Sequence, residues 1–378
     1  MKGNENNHNE GRENGREGKE QLRLPEGRLR VGITHGDYNG VGYEVILKML
    51  DDQRMLELCI PIVYGSAKIA QFYRKGLELT GPQWVQVSDA SQARTDAVSI
   101  VNVIDKDAQV NPGQESPEAG QAALAALEAA VADLKSGVID VLVTAPINKH
   151  SMQSNTFRFP GHTEYLAASS EIEGAKPLMI LFSDTMRVAL ATTHLPVTKL
   201  SEALTIDLIL DKLQAFNLSL TKDFSIVKPR IAVLALNPHA GEEGLLGSEE
   251  QQVIIPAIEQ AREAGIHAFG PYAADGFFGN GLYKKFDGIL AMYHDQGLAP
   301  FKALAMNAGV NFTAGLEFVR TSPDHGTAAD IAGKGIASPD SMRQALYAAL
   351  DIYRSRTNHD EMTSSPLPKL YHDRSRDN

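Results

Sequence analysis

Three histidines stand directly behind runs of apolar and β-branched residues. His194 follows Val188-Ala189-Leu190-Ala191-Thr192-Thr193, His239 lies just beyond Ile231-Ala232-Val233-Leu234-Ala235-Leu236, and His294 follows Gly288-Ile289-Leu290-Ala291-Met292-Tyr293. Neutral imidazole is a common ligand for zinc, cobalt, nickel and iron. Three such ligands with one position left open suit a catalytic metal. The three are far apart in sequence and form no finger motif, so a turn-capping or core histidine is the alternative for each. Two cations stand near other turns. Lys302 follows His294-Asp295-Gln296-Gly297, and Arg320 precedes the hydroxyls of Thr321 and Ser322. An arginine beside hydroxyls suits a phosphate or carboxylate clamp, with a surface salt bridge as the alternative. The loop Gly36-x-x-x-Gly40-x-Gly42 matches neither the dinucleotide fingerprint nor the nucleoside-triphosphate loop. It reads either as a tight strand–helix turn or as part of a ligand site, and it counts against a standard Rossmann domain.

Alternating elements must position these groups. Strands are expected at Arg30–Thr34, Ile60–Tyr64, Val98–Val103, Val138–Thr144, Leu178–Phe182, Val188–Thr193, Ile231–Leu236 and Gly288–Tyr293. Helices are expected at Val41–Leu50, Pro117–Leu134, Ser248–Ala264 and Asp340–Arg354. Pro117 opens its helix at the first turn, where a missing N–H costs nothing. Apolar strands alternating with helices specify an α/β protein with a largely parallel sheet. Ligand sites in such sheets form beyond the carboxyl ends of strands. Here those ends carry Thr34-His35-Gly36-Asp37, Thr144-Ala145-Pro146-Ile147-Asn148-Lys149 and the three histidine turns.

The chain has 378 residues, with 43% hydrophobic and 22% charged residues. These proportions are those of a globular protein, not of a disordered or collagen-like chain. Lys+Arg 36 against Asp+Glu 47 leaves a net charge of −11. A surface this acidic opposes general nucleic-acid binding. No stretch reaches the ~18 apolar residues of a membrane helix, and no apolar core follows the charged N-terminus. No nucleic-acid partner, no membrane and a cytoplasmic location are therefore expected. The one cysteine, Cys59, lies in an apolar run and reads as a buried, inert thiol. Residues 1–25 and 357–378 read as polar tails, because they bury too little apolar surface to offset ordering.

Several segments together resemble the 4-hydroxythreonine-4-phosphate dehydrogenase family of vitamin B6 biosynthesis. They are Pro160-Gly161-His162-Thr163-Glu164, Ala191-Thr192-Thr193-His194-Leu195-Pro196, Leu236-Asn237-Pro238-His239-Ala240-Gly241-Glu242, Met292-Tyr293-His294-Asp295-Gln296-Gly297-Leu298, Gly309-Val310-Asn311 and Arg320-Thr321-Ser322-Pro323-Asp324-His325-Gly326-Thr327. They fall in the family's order across about residues 29–355. The run His325 to Gly335 is also similar to the adenosine-binding loop of isopropylmalate and isocitrate dehydrogenases. The fold implied is isopropylmalate dehydrogenase-like: a three-layer α/β/α arrangement of two interleaved subdomains. Subdomain one would hold 26–145 plus 306–356 on the cofactor side. Subdomain two would hold 146–305 on the metal and dimer side.

By position, the resemblance implies that His194, His239 and His294 bind one divalent metal (Zn, Co or Mg). His162, Thr163, Lys302, Asn311 and Arg320 would contact a small phosphorylated amino-acid substrate. His325, Gly326, Asp330, Ile331 and Ala332 would contact NAD. A homodimer with the active site at the subunit interface is implied, with metal ligands drawn from both subunits. His162, Lys302, Asp295 and Asp275 are the catalytic candidates, the aspartates as acid–base groups or as groups orienting a histidine. The implied reaction oxidises the substrate's C3 hydroxyl and then releases CO2, in pyridoxal 5'-phosphate biosynthesis. The alternatives are a paralogue acting on threonate or erythronate 4-phosphate, a metal-dependent hydrolase, and a scaffold without activity. Tyr38 and Tyr43 stand where the family usually has proline. Glu317 stands where proline is usual, and Pro323 where valine is common.

Overall fold

Runs that are apolar on both sides build the centre of the molecule. The structure is a computed structural model describing residues 27–104, 108–153, 158–159, 161–170, 172, 176–305 and 308–365. The expected N-terminal tail and Pro160 lie outside the described residues. The strands are β1 (Leu29–Thr34), β2 (Cys59–Gly65), β3 (Trp84–Val87), β4 (Val98–Asn102), β5 (Val141–Thr144), β6 (Leu178–Phe182), β7 (Arg187–Leu190), β8 (Arg230–Leu234), β9 (His267–Tyr272), β10 (Gly288–Ala291), β11 (Val310–Ala314) and β12 (Val319–Pro323). The main helices are α1 (Gly42–Met49), α2 (Ala67–Gly76), α3 (Pro117–Ser136), α4 (His162–Ser169), α5 (Ile206–Lys222), α6 (Ile255–Glu263), α7 (Ala274–Gly279), α8 (His294–Ala305) and α9 (Asp340–Ser364).

All the strands join one sheet, in the order β3-β4-β2-β1-β5-β12-β11-β6-β7-β10-β8-β9. Its side chains alternate between two helical layers. Val31, Ile33, Val141 and Val143 pack with α1 and α9 on one face. Ile62, Tyr64 and Leu142 pack with α3, and Ile289 and Ala291 with α8, on the other. The result is an α/β/α sandwich. The caps follow from sequence. Ser116 accepts the Ala119 N–H to start α3, and Gly137 ends it at φ 76°.

The pairing carries a consequence for the site. β5 and β12 are parallel, but β12–β11, β11–β6 and β6–β7 are each antiparallel. Three reversals turn β7 against β5, and β10 and β8 run parallel with β7. The carboxyl ends of β1 and β5 therefore lie at one sheet edge, and those of β7, β10 and β8 at the other. The segments after residue 307 explain it. β11 and β12 return to the middle of the sheet, a pairing across long sequence separation that no local pattern encodes.

Smaller differences have local causes. The expected strand at Val138–Thr144 begins at Val141, because Val138 N–H still closes the C-terminus of α3 on Asp133. The expected helix Ser248–Ala264 opens with a π turn at Glu250–Ile254. α9 continues to Ser364, so it includes the first residues of the stretch expected to be a tail.

Candidate active site

The site begins at a buried arginine. Arg320 sits in β12, 2% exposed, in the middle of the sheet. Its Nε and Nη2 donate to Thr144 Oγ1 at 3.0 and 2.6 Å, and its Nη1 donates to Thr313 Oγ1 at 3.3 Å. Nη2 also lies 3.0 Å from His162 Nδ1. Among the described residues no carboxylate pairs with it. Burial holds this guanidinium down at about 9, against its ordinary value above 12. Burial, and then the Arg320 charge, hold the His162 imidazole well below its usual range. It is therefore neutral, and its Nδ1 accepts from Arg320. A buried cation matched only by hydroxyls and a neutral imidazole is an unbalanced charge, and an anionic ligand would balance it.

α4 carries the site from this cation to the histidines. His162 opens the helix, and Glu164, one position beyond Thr163, meets His194 Nδ1 at 3.3 Å. His194 and His294 face one another with ring centroids 6.3 Å apart. Two bonds at the strand ends set this approach. Thr192 Oγ1 donates to Met292 O at 2.7 Å. Gln296 bridges Met292 N–H and Ala235 O. His294 Nδ1 donates to Asp295 Oδ1 at 2.7 Å. Each imidazole thus spends Nδ1 on a carboxylate and leaves Nε2 available, the arrangement of a metal-ligating histidine with its supporting carboxylate. His239 is not part of this pair. It is exposed, in a turn whose residues His239 to Glu243 all have positive φ. Buried Glu250 pins the turn's start by accepting from Leu236 and Asn237 N–H, each at 2.8 Å. Among the described residues no group of three metal ligands forms within one chain. The residues therefore fit two-thirds of a histidine site.

The loop from His325 onward is held against the glycine turn. Val41 N–H donates to Thr327 O at 3.0 Å, and a Cβ on Gly40 would lie 2.9 Å from that oxygen. Lys48 Nζ donates to Glu44 Oε1, Gly335 O and Ala337 O at 2.8, 2.9 and 2.7 Å. Glu44, fully buried, also accepts Ala337 N–H at 2.7 Å. His325 Nδ1 donates to Gly326 O at 2.9 Å, leaving a buried Nε2 without a partner. Ala332 is buried and Ile331 partly so, whereas Gly326 and Asp330 are exposed.

Other expected residues are placed as follows. Asn311, on β11, has a buried Oδ1 without a partner. Lys302 is exposed near the C-terminus of α8, and its charge acts on Asp324, whose carboxyl burial pushes up. Asp275 is exposed in the first turn of α7, beside the edge strand β9, and bonds to neither histidine. Tyr38 and Tyr43 are core residues. Tyr43 stacks between His35 and Tyr73 at 5.3 and 5.8 Å, and Tyr73 Oη donates to Tyr38 O. Glu317 accepts from Ser170 Oγ and does not meet Arg320. Glu164 had no role at the sequence level. Its place two residues beyond His162 is visible there, but its meeting with His194 is tertiary.

The sequence model of the pyridoxal phosphate biosynthetic protein PdxA family matches residues 57–349. A relative named 4-hydroxythreonine-4-phosphate dehydrogenase, from Bacteroides thetaiotaomicron, is 56% identical across 93% of this chain and 96% of its own length. One from Oceanobacillus iheyensis, 38% identical over 85% of this chain and 97% of its own, bears the provisional name D-threonate 4-phosphate dehydrogenase. The crystal structure of the 4-hydroxythreonine-4-phosphate dehydrogenase from Klebsiella pneumoniae superposes with a TM-score of 0.74 at 31% identity, covering 86% of this chain and 99% of that one. The chain belongs to the pyridoxal phosphate biosynthetic protein PdxA family, a family of dehydrogenases acting on a CH–OH group.

Proposed function

We propose that the protein oxidises the C3 hydroxyl of 4-hydroxythreonine 4-phosphate with NAD and releases CO2, giving 3-amino-2-oxopropyl phosphate for pyridoxal phosphate biosynthesis. The observation that carries this is Arg320: a buried guanidinium with no carboxylate partner among the described residues, beside neutral His162. That charge calls for an anionic substrate. The 56% identical relative's name supplies a phosphorylated one.

A bound NAD would supply the hydride acceptor for the C3 hydrogen, and a divalent metal would supply Lewis acidity toward that hydroxyl. His194 and His294 would hold the metal through Nε2. His239 of a second copy would complete the set, in keeping with ligands drawn from both subunits of a homodimer. Glu164 and Asp295 fix the orientation of the two imidazoles. Arg320 and His162 grip the substrate's anionic end, with Thr163 beside them. His162, whose Nδ1 accepts from Arg320, has its Nε2–H left to donate to that anionic end, and Lys302 and Asn311 line the approach from α8 and β11. The loop from His325 to Ala332 seats the adenosine part, with His325 Nε2 and Asp330 offering polar contacts. Gly40 permits that loop's close approach.

The threonate 4-phosphate alternative has one supporting observation, the name of the Oceanobacillus relative. Tyr38, Tyr43 and Glu317 lend it no support, because the tyrosines are packed inside the core and Glu317 faces Ser170. The test is NADH formation with metal present, offering 4-phosphohydroxythreonine and 4-phosphothreonate separately. Faster turnover of the amino acid establishes the proposed reaction. Preference for the sugar acid moves the chain to the other branch. Inactivity on both removes the dehydrogenase assignment.

A further inference from the structure

Lys149 belongs to none of the groups assigned above. It stands in the turn after β5, and its side chain reaches back over Gly161, the N-cap of α4. A Cβ built on Gly161 would lie 3.6 Å from Lys149 Cε and 4.0 Å from its Nζ. The turn is rigid. Asn148 Oδ1 accepts from His150 and Ser151 N–H at 2.9 and 3.1 Å, and Met152 N–H closes on Asn148 O. Asp37 N–H donates to Pro146 O, so the turn is also locked to the glycine loop. Lys149 itself is exposed, so its ammonium is reached from solvent.

Positive groups outnumber acids around that ammonium. Gly161 gives α4 no side-chain cap, and the acid at that pole is Glu164, whose Oε2 lies 3.5 Å from a Cβ built on Gly161. Arg320 lies beyond His162, fully buried and with no carboxylate partner among the described residues. Glu164 is the nearby acid, and it is engaged by His194. Among the described residues no ion pair within 4.0 Å engages Lys149. Two cations and a helix pole converge on neutral His162 with one carboxylate already committed.

We infer that Lys149 is a substrate-binding residue that, together with Arg320, grips the phosphate of the substrate across the N-terminus of α4. A phosphate dianion matches two cations and open backbone N–H groups. A carboxylate carries half that charge. The inference rests on the phosphorylated-substrate reading above.

The experiment uses the full-length enzyme and its Lys149→Met, Lys149→Arg and Arg320→Met variants, with 4-phosphohydroxythreonine and 4-hydroxythreonine. In each, kcat/KM is measured for both substrates, along with inhibition by inorganic phosphate. Lys149→Met is expected to lower the phospho-to-dephospho ratio of kcat/KM about 10- to 100-fold, mostly through KM. It should weaken inorganic phosphate similarly, and Lys149→Arg should restore most of both. Equal losses on the two substrates would place the lysine at the reacting end and overturn the inference. So would an unchanged ratio in Lys149→Met where Arg320→Met lowers it. If wild type itself shows no preference for the phosphorylated substrate, the reading beneath fails first.

Discussion

At the residue scale the active site is an exercise in unbalanced charge. Arg320 is buried among hydroxyls, and such a cation is costly until an anion arrives. Inorganic phosphate should therefore raise the melting temperature of wild type by mass action. Arg320→Met should abolish that rise and lower kcat/KM by about 100-fold, a loss typical of truncating a buried charged contact. An equal phosphate shift in the variant would remove Arg320 from the site. His35 gives a second residue-scale prediction. It is fully buried, and burial holds its imidazole down at about 4. Below pH 6.5 the unfolded chain binds a proton that the folded chain refuses, so stability falls as pH drops. The loss grows down to pH about 4 and reaches about 3 kcal/mol at 1.36 kcal/mol per unit. His35→Phe keeps an aromatic ring beside Tyr43 and cannot titrate. Urea unfolding at pH 7 and pH 4.5 should show the variant gaining on wild type at the lower pH. A constant difference would contradict the neutral assignment.

At the element scale, three segments must be held in register: α1, α4 and the loop that follows β12. The Glu44–Lys48 pair ties α1 to the end of that loop through bonds to Gly335 and Ala337. Lys48→Met leaves the Glu44 carboxylate buried without its cation. We expect a loss of about 3 kcal/mol in denaturant unfolding. A higher KM for NAD should accompany it, with a smaller change in KM for the phosphorylated substrate. Equal changes in the two would detach the loop from the cofactor. Gly36 is a second control point. Its φ is +69°, and a Cβ there would come within 2.2 Å of Pro146 O. The glycine turn is thus explained by the close packing of two loops at one sheet edge.

At the scale of the whole molecule, the reversal between β5 and β7 separates two rows of strand ends, and α4 bridges them. His194 and His294 meet on one chain while His239 turns outward. A homodimer sharing its sites would use the outward histidine in the neighbouring copy. Complementation tests this. Inactive His239→Ala and inactive His294→Ala proteins, unfolded and refolded together, should recover about a quarter of wild-type activity. Half of the random dimers would be mixed, and each would carry one intact site. No recovery would confine the metal to a single chain. Dialysis against a chelator should likewise abolish NADH formation, and Zn, Co or Mg should restore it. Activity that survives chelation would end the metal proposal.

The α/β class, the buried strands, the proline-opened start of α3 and the polar clusters at strand ends were legible in the sequence, because each is local. Apolar runs and a proline at a helix's first turn act within a few residues of themselves. So was the family, since its segments lie in order along the chain. The meeting of Glu164 with His194, the neutrality of His162 and the reach of Lys149 over Gly161 were not legible. Neither were the core positions of Tyr38 and Tyr43 nor the outward turn of His239. Each depends on how separate elements pack against one another and on which groups that packing deprives of water. The sequence determined which chemical groups are present and which elements carry them. The tertiary structure decided which groups share a site and how they are charged, because distance and desolvation are set by pairings between segments far apart in the chain.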